Sequence, residues 1–252
     1  MKIAIVTGAS SGMGKEMVLQ LADRFGGLEE IWVVARREEK LDELIGQVPV
    51  RIRKFPINIT DKAALGRLAD ALAEEKPDVK VLVNGSGLGR TGLIGEISAQ
   101  ISAQMTRLNC EALTAVTEMV LPYISENSRI IQFASAAAFM PQPGFAVYAA
   151  TKAFVLSYSR ALGAELKSRN ISVTAVCPGP VDTEFFDFAL ADGKELNFYK
   201  KLTMVKPEYV VRTAIRDSLM GKEISIAGPH MKLFYVACKI LPHSLLMKFI
   251  QW

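Results

Sequence analysis

Seven short runs rich in aliphatic and β-branched residues recur along the chain, and helical segments separate most of them. The runs cover residues 3–6, 31–35, 50–55, 79–83, 129–134, 172–177 and 223–227. Short apolar runs of this kind are typical of parallel strands buried on both faces. Their alternation with helices predicts an α/β fold with a doubly wound parallel sheet of about seven strands and helices on both faces. No linker or repeat divides residues 1–252, so we expect a single domain. Among the helices, Thr60 is the expected N-cap of one over 61–75, and a single long helix is expected over about 98–124.

The first run leads into a glycine-rich turn, Thr7-Gly-Ala-Ser-Ser-Gly-Met-Gly14, and then into a helical segment over about 15–25. Gly8 permits a tight turn, while Gly12 and Gly14 let the backbone approach a phosphate and pack the helix closely on the strand. The helix N-terminus would then face the pyrophosphate. This strand, turn and helix predict a Rossmann-type dinucleotide site.

Two arginines, Arg36 and Arg37, follow the second run directly. A site for NAD(H) usually has an acidic residue here for the ribose hydroxyl, whereas an arginine accommodates the 2′-phosphate of NADP(H). Residues 34–37 contain no acid, which favours NADP(H) over NAD(H). The other interpretation is a solvated helix start in which Glu38 and Glu39 pair with the arginines.

Tyr148 and Lys152 lie four residues apart in a segment over 148–167 that has helical composition. Residues at i and i+4 share one face of a helix, so the phenol and the ammonium would lie side by side. A neighbouring cation lowers the pKa of a phenol toward the range of a useful acid or base. An isolated pair at this spacing is also common on ordinary helix faces.

Composition excludes several classes of protein. The net charge of +4 is small and scattered, so we expect no nucleic-acid partner. Three widely spaced cysteines indicate reduced thiols and a cytoplasmic protein rather than a disulfide framework. The two histidines have no second ligand nearby, so no metal site is predicted. We see neither a signal peptide nor an apolar run long enough to span a membrane.

An ordered set of short motifs runs through the chain. It comprises Thr7-Gly8-xxx-Gly12-x-Gly14, Asn84-Gly85-x-Gly87, Asn109, Ser135, Tyr148-xxx-Lys152 and Pro178-Gly179. In these residues, their order and their spacing, the chain resembles the short-chain dehydrogenase/reductases over essentially its whole length. Each motif is weak alone, and the ordered set is specific.

The resemblance implies a catalytic set of four residues. Tyr148 would exchange a proton with the substrate oxygen, and Ser135 would hydrogen-bond that oxygen as it gains charge. Lys152 would lower the pKa of Tyr148 and bind the nicotinamide ribose. Asn109 would hold a water that links Lys152 to solvent.

The resemblance also implies cofactor contacts. The turn around the pyrophosphate would be formed by Gly8, Ser10, Ser11, Gly12, Met13 and Gly14. The adenine would lie between Asn58 and Ile59, and its ribose would be contacted by Asn84, Gly85 and Ser86. The nicotinamide amide would be bound by Val181 and Thr183, which follow Pro178-Gly179. Asn58 stands where the family commonly has Asp. This departure would weaken the contact with the adenine amino group and leaves the proton chemistry intact. Gly85 and Ser86 replace the family's usual second Asn and its Ala.

Aromatic residues are frequent where family members cover the substrate, in a loop over about 184–206. They are Phe185, Phe186, Phe188, Phe198 and Tyr199, with Phe139, Met140 and Phe145 on the other side. Any one of them could simply be core. Together they favour a bulky apolar substrate, since the basic residues Arg90, Lys194, Lys200 and Lys201 are scattered.

The leading hypothesis is therefore an NADP(H)-dependent oxidoreductase acting on an apolar ketone or secondary alcohol, hydroxysteroid-like or otherwise lipophilic. A 3-oxoacyl reductase of the fatty-acid type shares every catalytic residue, although no basic patch for an acyl carrier is evident. A nicotinamide-binding sensor without turnover would be expected to lack Tyr148 or Lys152. The resemblance implies a homodimer or homotetramer through the helices that contain Asn109 and Tyr148.

The tail over 230–252 has apolar residues at helical spacing, interrupted by Pro242, with Lys232, Lys239 and Lys248 among them. Such a basic amphipathic segment can make peripheral contact with a membrane. The other interpretation is packing on its own subunit or across a dimer interface.

Overall fold

All seven strands form one parallel sheet in the computed structural model, which describes residues 1–190 and 203–249. The strand order is β3-β2-β1-β4-β5-β6-β7. The strands are β1 (Lys2–Thr7), β2 (Glu30–Ala35), β3 (Arg51–Pro56), β4 (Asp78–Asn84), β5 (Ile124–Phe133), β6 (Ser172–Val176) and β7 (Ile224–Ser225). The predicted fold class is confirmed. Because β1 pairs with both β2 and β4, the strand order reverses at β1, and ligands of open α/β sheets bind in the crevice at such a point.

Ten α-helices connect or follow the strands within the described residues. They are α1 (Gly12–Arg24), α2 (Glu38–Asp42), α3 (Lys62–Glu75), α4 (Ala99–Thr106), α5 (Leu113–Val120), α6 (Ala146–Glu165), α7 (Phe185–Ala189), α8 (Pro207–Leu219), α9 (Pro229–Ile240) and α10 (His243–Phe249). A π-helical turn (Arg107–Ala112) joins α4 to α5, and 3-10 turns occupy Leu121–Tyr123, Ala136–Phe139 and Lys167–Arg169.

Two large hydrophobic clusters lie on opposite faces of the sheet, because successive strand residues point to opposite sides. Ile3 and Ile5 of β1 pack with residues of α3 and α5. Ala4 and Val6, the alternate residues of the same strand, pack with α1 and α8. Burial on both faces explains why the strands are almost continuously apolar in the sequence.

Local signals misplaced two boundaries. Thr60 was expected to cap α3, but Asp61 is the cap, and its carboxylate accepts from the amides of Ala63 (2.9 Å) and Ala64 (3.3 Å). The Thr60 hydroxyl instead donates to Asn58 Oδ1 at 2.9 Å. The single helix expected over 98–124 is divided by the π-helical turn, and Pro122 ends it in a 3-10 turn because proline cannot continue the helical hydrogen bonds.

The tail forms the two helices α9 and α10, with Pro242 between them. One face of α9 packs on its own subunit, where Phe139 lies 4.8 Å from Tyr235 and 6.2 Å from Phe234 between ring centres. Leu246 and Met247 of α10 join the same cluster. Within the described part of the chain, no helix combines the length and the apolar character needed to cross a membrane.

Only part of the loop expected to cover the substrate is described. Phe185, Phe186 and Phe188 lie in α7, and Val205 pairs with Val181. The predicted residues Lys194, Phe198, Tyr199, Lys200 and Lys201 lie outside the described residues.

Candidate active site

The glycine-rich turn after β1 is packed against the turn after β4. Gly8 has φ +72°, and a Cβ on it would lie 2.7 Å from the carbonyl carbon of Gly85 and from the amide nitrogen of Ser86. A Cβ on Gly14 would lie 2.0 Å from the Gly8 carbonyl oxygen, which is a severe clash. These two positions therefore require glycine, and they bring the start of α1 onto the carboxyl ends of β1 and β4.

The start of α1 fits an anion. Ser11 is the N-cap residue but makes no capping bond with its side chain, and the first turn contains no acidic residue. The first backbone N–H groups thus lack a carboxylate partner and carry the positive end of the helix dipole. A Cβ on Gly12 would lie 3.1 Å from Cγ2 of Thr183, so this turn faces the segment after β6. Met13 packs at the edge of the core.

Arg37 joins both sides of the crevice. Its guanidinium donates to Glu184 Oε2 at 3.0 Å and to Ser10 Oγ at 3.3 Å. Arg36, next to it, is exposed. Of the partners that the other interpretation requires, Glu38 pairs instead with Lys54 at 3.0 Å. The arginine predicted to hold a 2′-phosphate therefore lies between the glycine-rich turn and the residue that precedes α7.

The residues expected around the adenosine differ in their accessibility. Asn58 is exposed after β3, whereas Ile59 is buried in the core. Gly85 and Ser86 line the turn after β4, and both backbone amides lie near Thr7 Oγ1, at 3.1 and 3.3 Å.

The side chain of Asn84 does not face the crevice. It is buried, and its amide donates to Thr117 Oγ1 at 2.9 Å, within the interface between the sheet and α5. A ribose contact of Asn84, which the family resemblance implies, would therefore have to come from its backbone, because the side-chain amide is engaged by Thr117.

Tyr148 and Ser135 meet at the carboxyl end of β5. Ser135 follows the strand and caps a 3-10 turn by accepting from the Ala137 amide at 3.1 Å. Tyr148 lies in the first turn of α6 and is buried, with its phenol beside the Ser135 hydroxyl, whose hydrogen-bonding influence acts to lower the pKa of the phenol. The Ala136 amide donates to the Pro178 carbonyl at 2.8 Å, which ties this turn to the segment after β6.

Lys152 and Asn109 lie behind the phenol. The Lys152 ammonium donates to the Phe133 carbonyl at 2.7 Å and lies 5.7 Å from the ring centre of Tyr148. A Cβ on Gly87 would lie 3.3 Å from Lys152 Nζ and 3.5 Å from Asn109 Oδ1, so both groups border the same small space.

Burial dominates the acid–base properties of the pair. It raises the pKa of Tyr148 to about 12, and the hydrogen bond with Ser135 offsets this only in part. Burial likewise lowers the pKa of Lys152 to about 8. The expectation that Lys152 lowers the pKa of Tyr148 is not met in this structure, because the ammonium is engaged by the Phe133 carbonyl and desolvation outweighs other influences on the phenol.

A family model described as short chain dehydrogenase matches residues 2–192, well over half of the chain. The chain belongs to the short-chain dehydrogenase family. The 3-oxoacyl-(acyl-carrier-protein) reductase FabG of Thermotoga maritima is 30% identical over 189 residues, covering 72% of this chain and 75% of the relative. A serine 3-dehydrogenase of Agrobacterium fabrum is 29% identical over 229 residues, covering 88% and 90%. A solved short-chain dehydrogenase from Sphingobium yanoikuyae in complex with NADPH has a TM-score of 0.80 at 26% identity, covering 100% of this chain and 97% of that one.

The segment after β6 closes one side of the dehydrogenase site. Pro178 is buried, and a Cβ on Gly179 would lie 2.6 Å from Met231 Sδ, so α9 packs directly on this turn. Val181 is buried and bridges to Val205, while Thr183 is partly exposed beside Gly12. Of the residues predicted to meet the nicotinamide amide, Thr183 thus faces the crevice.

Two aromatic rings pack against the Tyr148 side chain of this dehydrogenase. Phe145 stacks on Tyr148 with ring centres 4.2 Å apart, and Phe185 of α7 lies 5.5 Å away. Phe139 and Met140, predicted on the substrate side, instead pack in the cluster beneath α9. The correction follows from the 3-10 turn after Ser135, which directs this part of the chain toward the tail.

Sequence patterns missed two residues of the site. Thr151 lies inside the motif of Tyr148 and Lys152, and its hydroxyl accepts from Asn109 Nδ2 at 2.9 Å. The sequence shows that Thr151 precedes Lys152 on the predicted helix, but it gives no sign that Thr151 bonds Asn109. Glu184 is 147 residues from Arg37, and no local pattern indicates that they pair.

Proposed function

We propose that this dehydrogenase is an NADP(H)-dependent oxidoreductase that transfers hydride between the nicotinamide and an apolar ketone or secondary alcohol. The substrate class is hydroxysteroid-like or otherwise lipophilic. The observation that carries the proposal is that the Tyr148 ring, whose phenol is influenced by Ser135, packs against the rings of Phe145 and Phe185. Acid–base groups at an apolar wall suit a carbonyl on a hydrophobic body.

The proton chemistry follows from the protonation states. The bound nicotinamide supplies the hydride in reduction and accepts it in oxidation. With its pKa raised to about 12, the Tyr148 phenol is protonated at neutral pH and can give its proton to the carbonyl oxygen as that oxygen gains charge. Ser135 donates a hydrogen bond to the same oxygen. Lys152, with Asn109 beside it, lies where a proton can be returned to the phenolate.

The preference for NADP(H) rests on Arg37 and Arg36. The ion pair of Arg37 with Glu184 is partly exposed, with 41% and 54% of the two side chains accessible. Such pairs contribute about 0–1 kcal/mol, so a 2′-phosphate can displace the carboxylate. A phosphate would also accept two parallel N–H bonds from one guanidinium.

A second candidate is a 3-oxoacyl-(acyl-carrier-protein) reductase, the activity named for the relative from T. maritima. It would use the same four residues, Asn109, Ser135, Tyr148 and Lys152. An acyl carrier is acidic and would need a basic patch near the phenol, whereas Phe145 and Phe185 are the neighbours of the Tyr148 ring. This makes the lipophilic ketone or alcohol the better-supported substrate.

We also infer a cytoplasmic homodimer or homotetramer. Cys110, Cys177 and Cys238 are all free, which suits a reducing compartment. Phe154 on the outer face of α6 is exposed and stacks on Tyr158 with ring centres 5.9 Å apart, and exposed aromatic pairs are frequent at subunit contacts.

Replacing Tyr148 tests the proposed reaction. Oxidation of NADPH and of NADH is measured over a panel of lipophilic and small polar carbonyl compounds. Tyr148→Phe should lower kcat by at least about 100-fold, since the proton donor is lost. The Kd for NADP⁺ should stay within a few-fold, and Tyr158→Phe on the same helix is the matched control.

Three outcomes would contradict parts of the proposal. Turnover that survives in Tyr148→Phe rules out the assigned proton donor. Turnover of small polar carbonyls alone rules out the apolar substrate. A higher kcat/KM with NADH than with NADPH rules out the cofactor preference.

A further inference from the structure

The helix α9 is apolar on two opposite faces. Its inner face carries Phe234, Tyr235 and Cys238, which pack on the body of the protein. Its outer face carries Leu233, Val236 and Ile240, which are 71%, 47% and 74% exposed. Residues at i, i+3 and i+7 line up along a helix, so the three exposed side chains form one stripe. A surface helix normally needs only the inner stripe.

Exposed apolar side chains continue beyond the end of α9. Leu241 is 41% exposed and Leu245, in α10, is 42% exposed. Single exposed apolar residues are ordinary, but a series of five large ones within thirteen consecutive positions marks an interaction surface. We call these five side chains the outer face of the tail.

The charge of this segment has one sign. Residues 229–252 contain Lys232, Lys239 and Lys248 and no aspartate or glutamate. Lys232 and Lys239 are exposed and seven residues apart, so they lie on the same side of α9, about 90° around the helix axis from the stripe. An apolar stripe flanked by lysines is the pattern of a helix that lies in the interface of an anionic membrane.

We propose that the outer face of the tail docks on the surface of a membrane that contains anionic lipids. The apolar side chains enter the boundary between headgroups and acyl chains, and the lysines contact lipid phosphates. A second copy of the chain is the less favoured occupant. A two-fold contact through this face would bring Lys232 and Lys239 of both copies together, and the segment offers no acidic residue to pair with them.

Docking would place the lipid surface one helix away from the turns of the active site. Met231 of α9 contacts the turn at Gly179, and Tyr235 packs on Phe139, four residues after Ser135. A lipophilic substrate dissolved in the bilayer would then have a short route to the phenol. This consequence rests on the proposed function, whereas docking itself requires neither cofactor nor substrate.

The test is sedimentation of the full chain with vesicles of phosphatidylcholine plus phosphatidylglycerol, and with vesicles of phosphatidylcholine alone. We expect the wild type to bind the anionic vesicles, less so at high salt and with neutral vesicles. Leu233→Ser/Ile240→Ser and, separately, Lys232→Glu/Lys239→Glu should each lower the partition coefficient by about tenfold or more. Leu219→Ser/Met220→Ser replaces exposed apolar residues elsewhere and should bind as the wild type does.

Two results would overturn the proposal. The first is a wild type that fails to bind anionic vesicles. The second is a Leu233→Ser/Ile240→Ser variant that binds them as the wild type does but has a smaller mass by light scattering, which assigns the face to a contact between copies. Circular dichroism and NADP⁺ binding establish that each variant is folded. Failure of docking would leave the assay of carbonyl reduction unaffected, so it is distinguishable from failure of the proposed function.

Discussion

Tyr148 and Lys152 share a face of α6, and both side chains lie in surroundings that favour their neutral forms. Each side chain is buried, which raises the pKa of the phenol to about 12 and lowers that of the ammonium to about 8. A protonated phenol is the form needed to donate a proton in reduction. The family pattern predicted the positions of the pair, while the surrounding apolar residues decide its protonation.

The second residue-scale feature is the competition between Glu184 and a 2′-phosphate for Arg37. Glu184→Gln should tighten NADP⁺ binding by up to about fivefold, because the exposed ion pair contributes at most about 1 kcal/mol. The affinity for NAD⁺ should not change. Arg37→Ala should weaken NADP⁺ selectively, and Asp187→Asn, an exposed carboxylate on α7, is the matched control. Calorimetric titration of the wild type and the three variants with each nucleotide measures these affinities, and an equal change for both nucleotides in Glu184→Gln would remove Glu184 from cofactor selection.

Among the secondary-structure elements, the π-helical turn between α4 and α5 positions Asn109, which connects two other segments by hydrogen bonds. Asn109 in this turn accepts from the Leu88 amide at 2.8 Å and donates to the Leu88 carbonyl at 2.8 Å and to Thr151 Oγ1 at 2.9 Å. These bonds tie the chain after β4 to the helix that carries Tyr148. These bonds use both N–H groups of the Asn109 amide and one lone pair of its oxygen, which leaves Oδ1 able to accept from the water that the family resemblance predicts there.

Thr151→Val tests this connection at the scale of the elements. The change leaves one Asn109 N–H without a partner in a buried site, which should lower the free energy of unfolding by about 1–3 kcal/mol. Because α6 is then less firmly placed, kcat should fall several-fold while the KM for the substrate changes little. Thr151→Ser keeps the hydroxyl and should retain both stability and kcat. Urea unfolding and steady-state kinetics give the two readouts, and a destabilised variant with unchanged kcat would mean a purely structural role.

For the whole molecule, the strand order collects distant residues at one edge of the sheet. The turns after β1 and β4 touch through Gly8 and Gly85, and the turn after β5 bonds the turn after β6 through Ala136 and Pro178. The carboxyl ends of parallel strands meet at one edge, which is why loops separated by more than 100 residues form one crevice.

The free energy of unfolding should depend on pH because Lys152 is buried. Its folded pKa lies near 8, below the ordinary value of 10.5, so between these values the unfolded chain binds more protons and stability rises with pH. The full shift corresponds to about 3 kcal/mol. Lys152→Met should therefore be more stabilising at pH 7 than near pH 10. Urea unfolding at several pH values measures this, with Lys167→Met, an exposed lysine, as control; a difference between variant and wild type that does not change with pH would contradict it.

The sequence by itself determined the fold class, the glycine-rich turn and the order of the functional motifs. These depend on local rules: the alternation of apolar runs with helices, and the requirement for glycine where backbones nearly touch, as at Gly8 and Gly14. Helix ends were less well predicted, because capping by Asp61 rather than Thr60 depends on the backbone conformation around each residue.

Only the tertiary structure decided what each side chain contacts. The Asn84 side chain lies in the core because Thr117 on α5 accepts a hydrogen bond from its amide. The Phe139 ring lies against the tail because Phe234 and Tyr235 pack on it there. Arg37 pairs with Glu184 across the crevice because contacts between distant segments are determined by how the layers of the fold pack. The two faces of α9 likewise could not be separated in the sequence, where both are apolar, until the body of the protein covered one of them.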